Sequence, residues 1–301
     1  MTSHRQVFRS SAIIGGASVV NMMIGVLKVK ALAVLLGPMG IGLMGLYQNV
    51  MSVASTLAGC GVGTSGVRQL AATPDDPATL GIVRRALWTA HLFLGLFGMV
   101  LLWLFRAPLT QWVFGHLEHT AQVGWLGIGL LLTLIAGSQT ALLQGLRRIE
   151  DLARVSILSA VVGAALGVLA VYLLGSDGVI WFVVVAPAAN AFVASCYAAR
   201  LPRLSSNVEI VAVRQQWLAL LKLGVPLMCA GLIMLVTQLI GRSFVLRELG
   251  LDASGYFQAA WAISMIYVGF VLNAMAMDYY PRLSAAITNH ETARQLVNEQ
   301  V

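Results

Sequence analysis

The chain has 301 residues, of which 58% are hydrophobic and only 10% charged, with a mean hydropathy of +0.83 and a formal charge of +7. Ordinary soluble domains carry roughly 25% charged residues, so a soluble globular protein is excluded, and the lack of sustained alternation in the apolar runs excludes a transmembrane β-barrel. Runs of about 20 apolar residues, each enough to cross a bilayer as a helix, recur throughout: the fold class is all-α, a polytopic transmembrane helical protein.

The first predicted span, 11–36, follows Arg5 and Arg9. It is longer than a signal-peptide core and lacks a small-residue cleavage site, so it reads as a retained span. It ends at Gly37-Pro38 and carries Lys28 and Lys30, the latter seven residues before Gly37. A cation inside an apolar span is costly and marks a substrate path. Residues two apart point about 200° apart on a helix, so Lys28 and Lys30 cannot both face one cleft. Ser18, Asn21, Gly25 and Lys28 form a stripe of small and polar residues, which favours Lys28.

The second span, 41–67, contains Gln48 and Asn49 and ends in Gly61-Val62-Gly63-Thr64-Ser65-Gly66, then Arg68. This is a literal G-x-G-x-x-G, but a dinucleotide site needs a preceding strand and a βαβ unit. Here the glycines close an apolar helix, so the nucleotide reading is rejected. Small residues at this place allow close helix approach or a flexible helix end suited to alternating access.

Spans 83–105, 123–145, 153–174 and 179–199 follow, joined by short connections, the outside one after the third span running over Arg106–Gln122. His91, in the third span, reads as structural. A seventh span, 217–245, places Gln238 and Arg242 four apart and therefore on one face. The eighth, 256–280, holds Gln258, Asn273 and, near its end, Asp278. Uncharged polar residues such as Gln48 and Gln258 either hydrogen-bond sugars or headgroups in a central cavity or act as interhelical glue. Asp278 is the one carboxylate expected within a span; it can pair with Arg282 or serve gating or coupling. The polar stretch Arg282–Val301, with Ile287, Ala293, Leu296 and Val297 as a weak apolar side, reads as a surface helix or a linker.

With the N-terminus cytoplasmic, Arg68, Arg84, Arg85, Arg147, Arg148 and Arg200, among others, fall inside, and only Arg106 and Arg247 fall outside. That is the positive-inside asymmetry; it accounts for the net charge without nucleic acid. Cys60, Cys196 and Cys229 have unrelated spacings, offer no metal-ligand cluster and read as packing residues. No cofactor is expected.

Leu36-Gly37, four residues, Gly42 and then Tyr47-Gln48 are echoed by Leu249-Gly250, four residues, Gly255 and then Tyr256-Phe257-Gln258, with a shorter version at Leu174-Gly175-Ser176-Asp177-Gly178. Either glycine simply recurs at tight hairpins, or a lobe is repeated, as in many transporters. On the second reading the chain divides into a first six-helix lobe over 1–205, the first two helices of a second lobe over 206–283, and a polar segment over 284–301. Arg242 lies eight residues before Gly250, much as Lys30 lies before Gly37. Two cations at similar depth in opposing walls suit a phosphate or pyrophosphate, Arg as a planar fork of donors and Lys as a point charge. The alternative is snorkelling, each head reaching back to the interface.

Lys30-x-x-Ala33-x-x-x-Gly37-Pro38-x-Gly40-x-Gly42, Leu57-Ala58-Gly59-Cys60-Gly61 with Gly66-Val67-Arg68, Leu143-Gln144-Gly145-Leu146-Arg147, and Asp278-Tyr279-Tyr280-Pro281-Arg282-Leu283 together resemble the polysaccharide-exporter branch of the multidrug/oligosaccharidyl-lipid/polysaccharide exporter superfamily. The similarity spans nearly the whole chain and is greatest to flippases of undecaprenyl-pyrophosphate-linked O-antigen or enterobacterial-common-antigen units. It implies a two-lobed transporter of twelve or more helices in the bacterial inner membrane, alternating between inward- and outward-facing states. A cationic central cavity would receive the pyrophosphate and sugars while the lipid tail stays in the bilayer. Lys30, Arg68 and Arg242 match positions where relatives carry cations, which favours Lys30 over Lys28. This chain stops after the eighth span, where relatives continue, so the second lobe is represented only by its first two helices. The implied partners are the lipid-linked oligosaccharide, membrane lipids, and polysaccharide polymerase and chain-length proteins.

The candidate substrate-binding residues are therefore Lys30, Arg68, Arg242, Lys28, Gln48 and Gln258, with Asp278 for gating or coupling and no metal site. A cation-coupled multidrug exporter of the same fold would want a buried carboxylate in the first lobe, and the first six spans contain none. An integral-membrane enzyme would need catalytic groups on a sizeable loop, and the loops are short. A truncated, non-transporting membrane subunit is the remaining alternative.

Overall fold

The computed structural model describes residues 2–72, 77–201 and 210–286. They form eight α-helices, α1 (Thr2–Gly59), α2 (Val62–Ala72), α3 (Pro77–Leu104), α4 (Arg106–Phe114), α5 (Thr120–Gly145), α6 (Ile149–Leu174), α7 (Gly178–Ala199) and α8 (Ile210–Ala286), with a 3-10 turn at Gly175–Asp177 between α6 and α7 and no strand among the described residues. Four helices are long and apolar enough to cross a membrane, or five when the broken pair Val211–Cys229 and Gly231–Met265 is taken as one span. Two of these runs, Ile13–Gly59 and Ile149–Ala199, are 47 and 51 residues long, more than twice the roughly 20 residues one crossing needs.

The long runs are divided at glycine. Gly37 has φ 66 and ψ −162, and Gly250 has φ 87 and ψ 178, a region of backbone space that glycine alone occupies without strain. Pro38 follows naturally, because the first residue of a helix has no use for its N–H. Gly175, between α6 and α7, has φ 62 and ψ −135. The three members of the sequence echo thus share one backbone device.

The second predicted span is not one helix. α1 stops at Gly59, Cys60 and Gly61 turn with φ 46 and 67, and α2 restarts at Val62. The apolar run through residue 67 hides this break. The cause is tertiary: a Cβ on Gly61 would collide with the backbone of Gly224 in α8, and a Cβ on Gly224 with that of Cys60 and Gly61. The connection 106–122, in turn, contains α4, which ends on Gly115 in the left-handed conformation with its N–H on Gln111 O, a C-terminal cap that glycine favours.

Packing divides the chain into Met1–Gly255 and Tyr256–Val301. In the first unit α6 and α7 form an antiparallel hairpin, Gly163 facing Ala186 and Gly167 facing Phe182. α3 and α5 pair antiparallel in the same way, through Gly98 on Leu130 and Gly124 on Trp103. Residues 38–59 of α1 run antiparallel to residues 210–249 of α8: a Cβ on Gly42 would sit 2.8 Å from Leu251 O, and at the other end stands the Gly61–Gly224 crossing. One core gathers Leu46, Tyr47, Leu126, Leu130 and Phe182; the other gathers Val62, Leu70, Leu87, Leu143 and Leu220. Phe97, Leu166, Tyr172 and Phe192 are exposed; so much outward apolar surface marks a chain that faces lipid.

Candidate functional site

Arg242 is the most deeply buried cation described, 7% exposed on α8 against the 38–59 arm of α1. Its Nη1 donates to Gly45 O at 2.9 Å. Asn49, 3% exposed, completes the contact when its amide is oriented to suit both neighbours: its carbonyl oxygen accepts from Arg242 Nη1 at 3.3 Å and its nitrogen donates to Leu235 O at 3.2 Å. Arg242 Nε and Ser243 Oγ are buried without partners among the described residues. An orphaned charged donor in an apolar setting is expensive, so this guanidinium retains binding capacity for an oxyanion. Gln48, beside Asn49, is half-buried.

The other cations are placed differently. In the 2–36 arm, Asn21 Nδ2 donates to Ser156 Oγ at 2.6 Å, Leu32 enters the core, and Lys28 Nζ lies 4.6 Å from the Phe182 ring centroid. This stripe packs on α6 and α7. Lys30 falls about 200° around the helix from Lys28; it is exposed and makes no ion pair or hydrogen bond among the described residues. Arg68 is exposed on α2. Lys28 and Lys30 therefore lie on different faces, and neither contacts Arg242. Gln258 belongs to the second unit, where its Oε1 has no hydrogen-bond partner among the described residues. Asp278 lies within α8; its side chain, like the stretch 287–301, falls outside the described residues.

His91 is buried, with Nδ1 2.8 Å from Leu87 O. Cys60 sits in the break between α1 and α2, and Cys196 and Cys229 are exposed; outward faces of membrane helices accept a small apolar thiol as readily as a core does. No cluster of His, Cys, Asp or Glu suits a metal among the described residues.

The two ends of the 38–59 arm carry polar clasps. At the Gly61 end, Ser65 Oγ donates to Leu220 O at 2.8 Å, Trp217 Nε1 donates to Thr89 Oγ1 at 3.1 Å, and Gln216 donates to Gln69. At the Gly37 end, Tyr47 Oη and His119 Nδ1 are 3.2 Å apart. Arg247 Nη2 donates to Gln111 O at 2.9 Å and to Trp112 O at 2.5 Å, capping the carbonyl end of α4, where a cation is favoured. A cleft of about 400 Å³ lies here, lined by Phe114, His116, His119, Leu246 and Arg247. Burial, then the neighbouring His116, hold the His119 imidazole below its usual 6.5, against the opposing influence of Glu118 and Asp177. Sequence reading missed this cluster. Its available signals were the i, i+3 spacing of His116 and His119 and the rarity of a cation on this side.

The architecture is that of a multi-pass helical membrane protein with the fold of the exporter superfamily. A solved multidrug resistance MATE family transporter of the MOP superfamily, in its inward-facing conformation, matches with a TM-score of 0.66 and 20% identity over 92% of this chain and 65% of its own. Residues 7–286 match the polysaccharide biosynthesis protein family, and the chain belongs to it. It is 24% identical over 293 residues to the Lipid III flippases of Escherichia coli K12 and Shigella flexneri, across 93% of this chain and 68% of each relative. The chain thus spans about two-thirds the length of these relatives. Family and relatives point to a transporter rather than an enzyme.

Proposed function

We propose that this chain acts in flipping an undecaprenyl-pyrophosphate-linked oligosaccharide, an O-antigen or similar surface-polysaccharide unit, across the bacterial inner membrane by alternating access. The observation that carries the reading is Arg242: a guanidinium buried between two apolar helices, with Nε unpartnered among the described residues. Arg–phosphate recognition is strong because it is charge-assisted and bidentate. In the present packing Arg242 clamps α8 to α1; parting of the two helices would free its fork for the pyrophosphate. Lys30, exposed and without a hydrogen-bond or ion-pair partner among the described residues, supplies a second positive charge, and Arg68, Lys28, Gln48 and Gln258 are secondary contacts. Asp278 is assigned to gating or coupling.

The same reading sets the N-terminus in the cytoplasm, divides the chain into lobes near residue 205, and expects polysaccharide polymerase and chain-length proteins as neighbours. A cation-coupled drug exporter of this fold is less well supported, because no carboxylate is buried among the described residues. Alanine at Lys30 or at Arg242 is expected to abolish complementation of a flippase-deficient strain with protein levels intact. Full complementation by the double alanine variant discards the proposal.

A further inference from the structure

Of the two arginines at the Gly37 end outside the spans, Arg247 is engaged by the end of α4. Arg106 is not. Its guanidinium lies 4.1 Å from the Trp103 ring centroid, and no carbonyl or carboxylate among the described residues accepts a hydrogen bond from it. Beside it a groove of about 560 Å³ runs between α3 and α5, walled by Met99, Val100 and Trp103 on one side and Gly124, Trp125 and Ile128 on the other. That volume is within the range of specific ligand sites. Gly124 forms part of its floor: a Cβ there would stand 3.3 Å from Arg106 Cδ and 3.5 Å from Trp103 Cδ1.

The vertical order of these residues resembles that of a lipid. α3 ends at Leu104 and α5 begins at Thr120, so Arg106, Trp103 and Trp125 stand at the level where tryptophan and arginine meet headgroups. Val100, Met99 and Ile128 lie about one turn deeper, and Val100 is 57% exposed. At the rim the first turn of α5 adds amide donors, since its cap residue His119 makes no side-chain capping bond and the first N–H groups of a helix have no intrahelical acceptor. A free phosphate would leave the apolar walls unfilled, and a zwitterionic headgroup would bring its own cation beside the guanidinium.

We propose that this groove is a binding site for one anionic phospholipid of the leaflet at the Gly37 end, with the phosphate on Arg106 and an acyl chain along Val100 and Ile128. The site is separate from Arg242 and Lys30 and does not depend on what the chain transports.

The test is native mass spectrometry of the full chain in detergent, titrated with phosphatidylglycerol or phosphatidylcholine. Wild type is expected to hold one phosphatidylglycerol about tenfold more tightly, the discrimination that about 1.4 kcal/mol supplies. R106Q should bind the two lipids equally, R106K should keep part of the preference, and V100W, which fills the groove and leaves the charge, should weaken both. Brominated phosphatidylglycerol should quench tryptophan fluorescence more strongly in wild type than in R106Q. An unchanged preference in R106Q, full binding by V100W, or displacement of the lipid by millimolar inorganic phosphate would each overturn the site.

Discussion

Residues 2–36 and 210–249 are helical arms that lead to a glycine in the same conformation and carry a cation about two turns before it, yet the cations end in opposite circumstances. Arg242 is buried and bonded to the arm beyond Gly37, whereas Lys30 is exposed and Lys28 lies over Phe182 in the first arm. The depth of a residue follows from its distance to the helix break. Its direction around the axis follows from which neighbour the helix meets. Equivalent positions in sequence can therefore hold one cation in reserve and another in plain view.

The largest expected effect concerns the contact that holds the second arm in place. At Gly61 and Gly224 backbone meets backbone, so G61L or G224L leaves no room for the crossing, and we expect either variant to lose the monodisperse peak in detergent. A well-folded G224L protein would break the comparison at its root.

Next, the two cations should separate stability from transport. R242A leaves Asn49 and Gly45 O without their buried donor, a loss of about 1–3 kcal/mol that thermal unfolding in detergent should register. K30A removes an exposed side chain and should stay within about 0.5 kcal/mol of wild type while still failing in complementation. Equal thermal midpoints for the two variants would contradict the difference in packing.

Alanine at Gly37 or Gly250 tests the shared turn. Each imposes a Cβ on a conformation that costs about 1–3 kcal/mol for other residues, and similar losses at both sites are expected in the same unfolding assay. A loss at one position alone would show that the two turns are not equivalent.

The smallest effect is a pH response at the Gly37 end. His119 has its folded-state value below 6.5, so the folded protein takes up its proton less readily than the unfolded chain. The contribution of neutral His119 is complete above about pH 6.5 and is lost as pH falls through that window. Amide protection in 115–122, corrected for the intrinsic pH dependence of exchange, should fall between about pH 7.5 and about pH 5.5, and H119Q should remove the dependence attributable to this group. A response equally strong in H119Q would show that His119 is not its source.

The membrane class and most span positions were legible because long apolar runs and glycine breaks are properties of local sequence. The Cys60–Gly61 turn was not, since the apolar run continues through it and only the approach of Gly224 shows why the helix stops. Helix α4 was read as connection because nine residues with Pro108 in the first turn give little periodicity. Ser18, Asn21, Gly25 and Lys28 were visible as a stripe, and Asn21 and Lys28 pack on α6 and α7. That Arg242 would meet Gly45 and Asn49 lay beyond sequence, because the partners are nearly two hundred positions away.

The most direct test is a titration of undecaprenyl pyrophosphate into the purified chain and its R242A and K30A variants. Charge-assisted bonds are worth about 1.5–3 kcal/mol, so each variant should bind at least about tenfold more weakly than wild type. Undiminished affinity in both would contradict the assignment of these cations to the pyrophosphate.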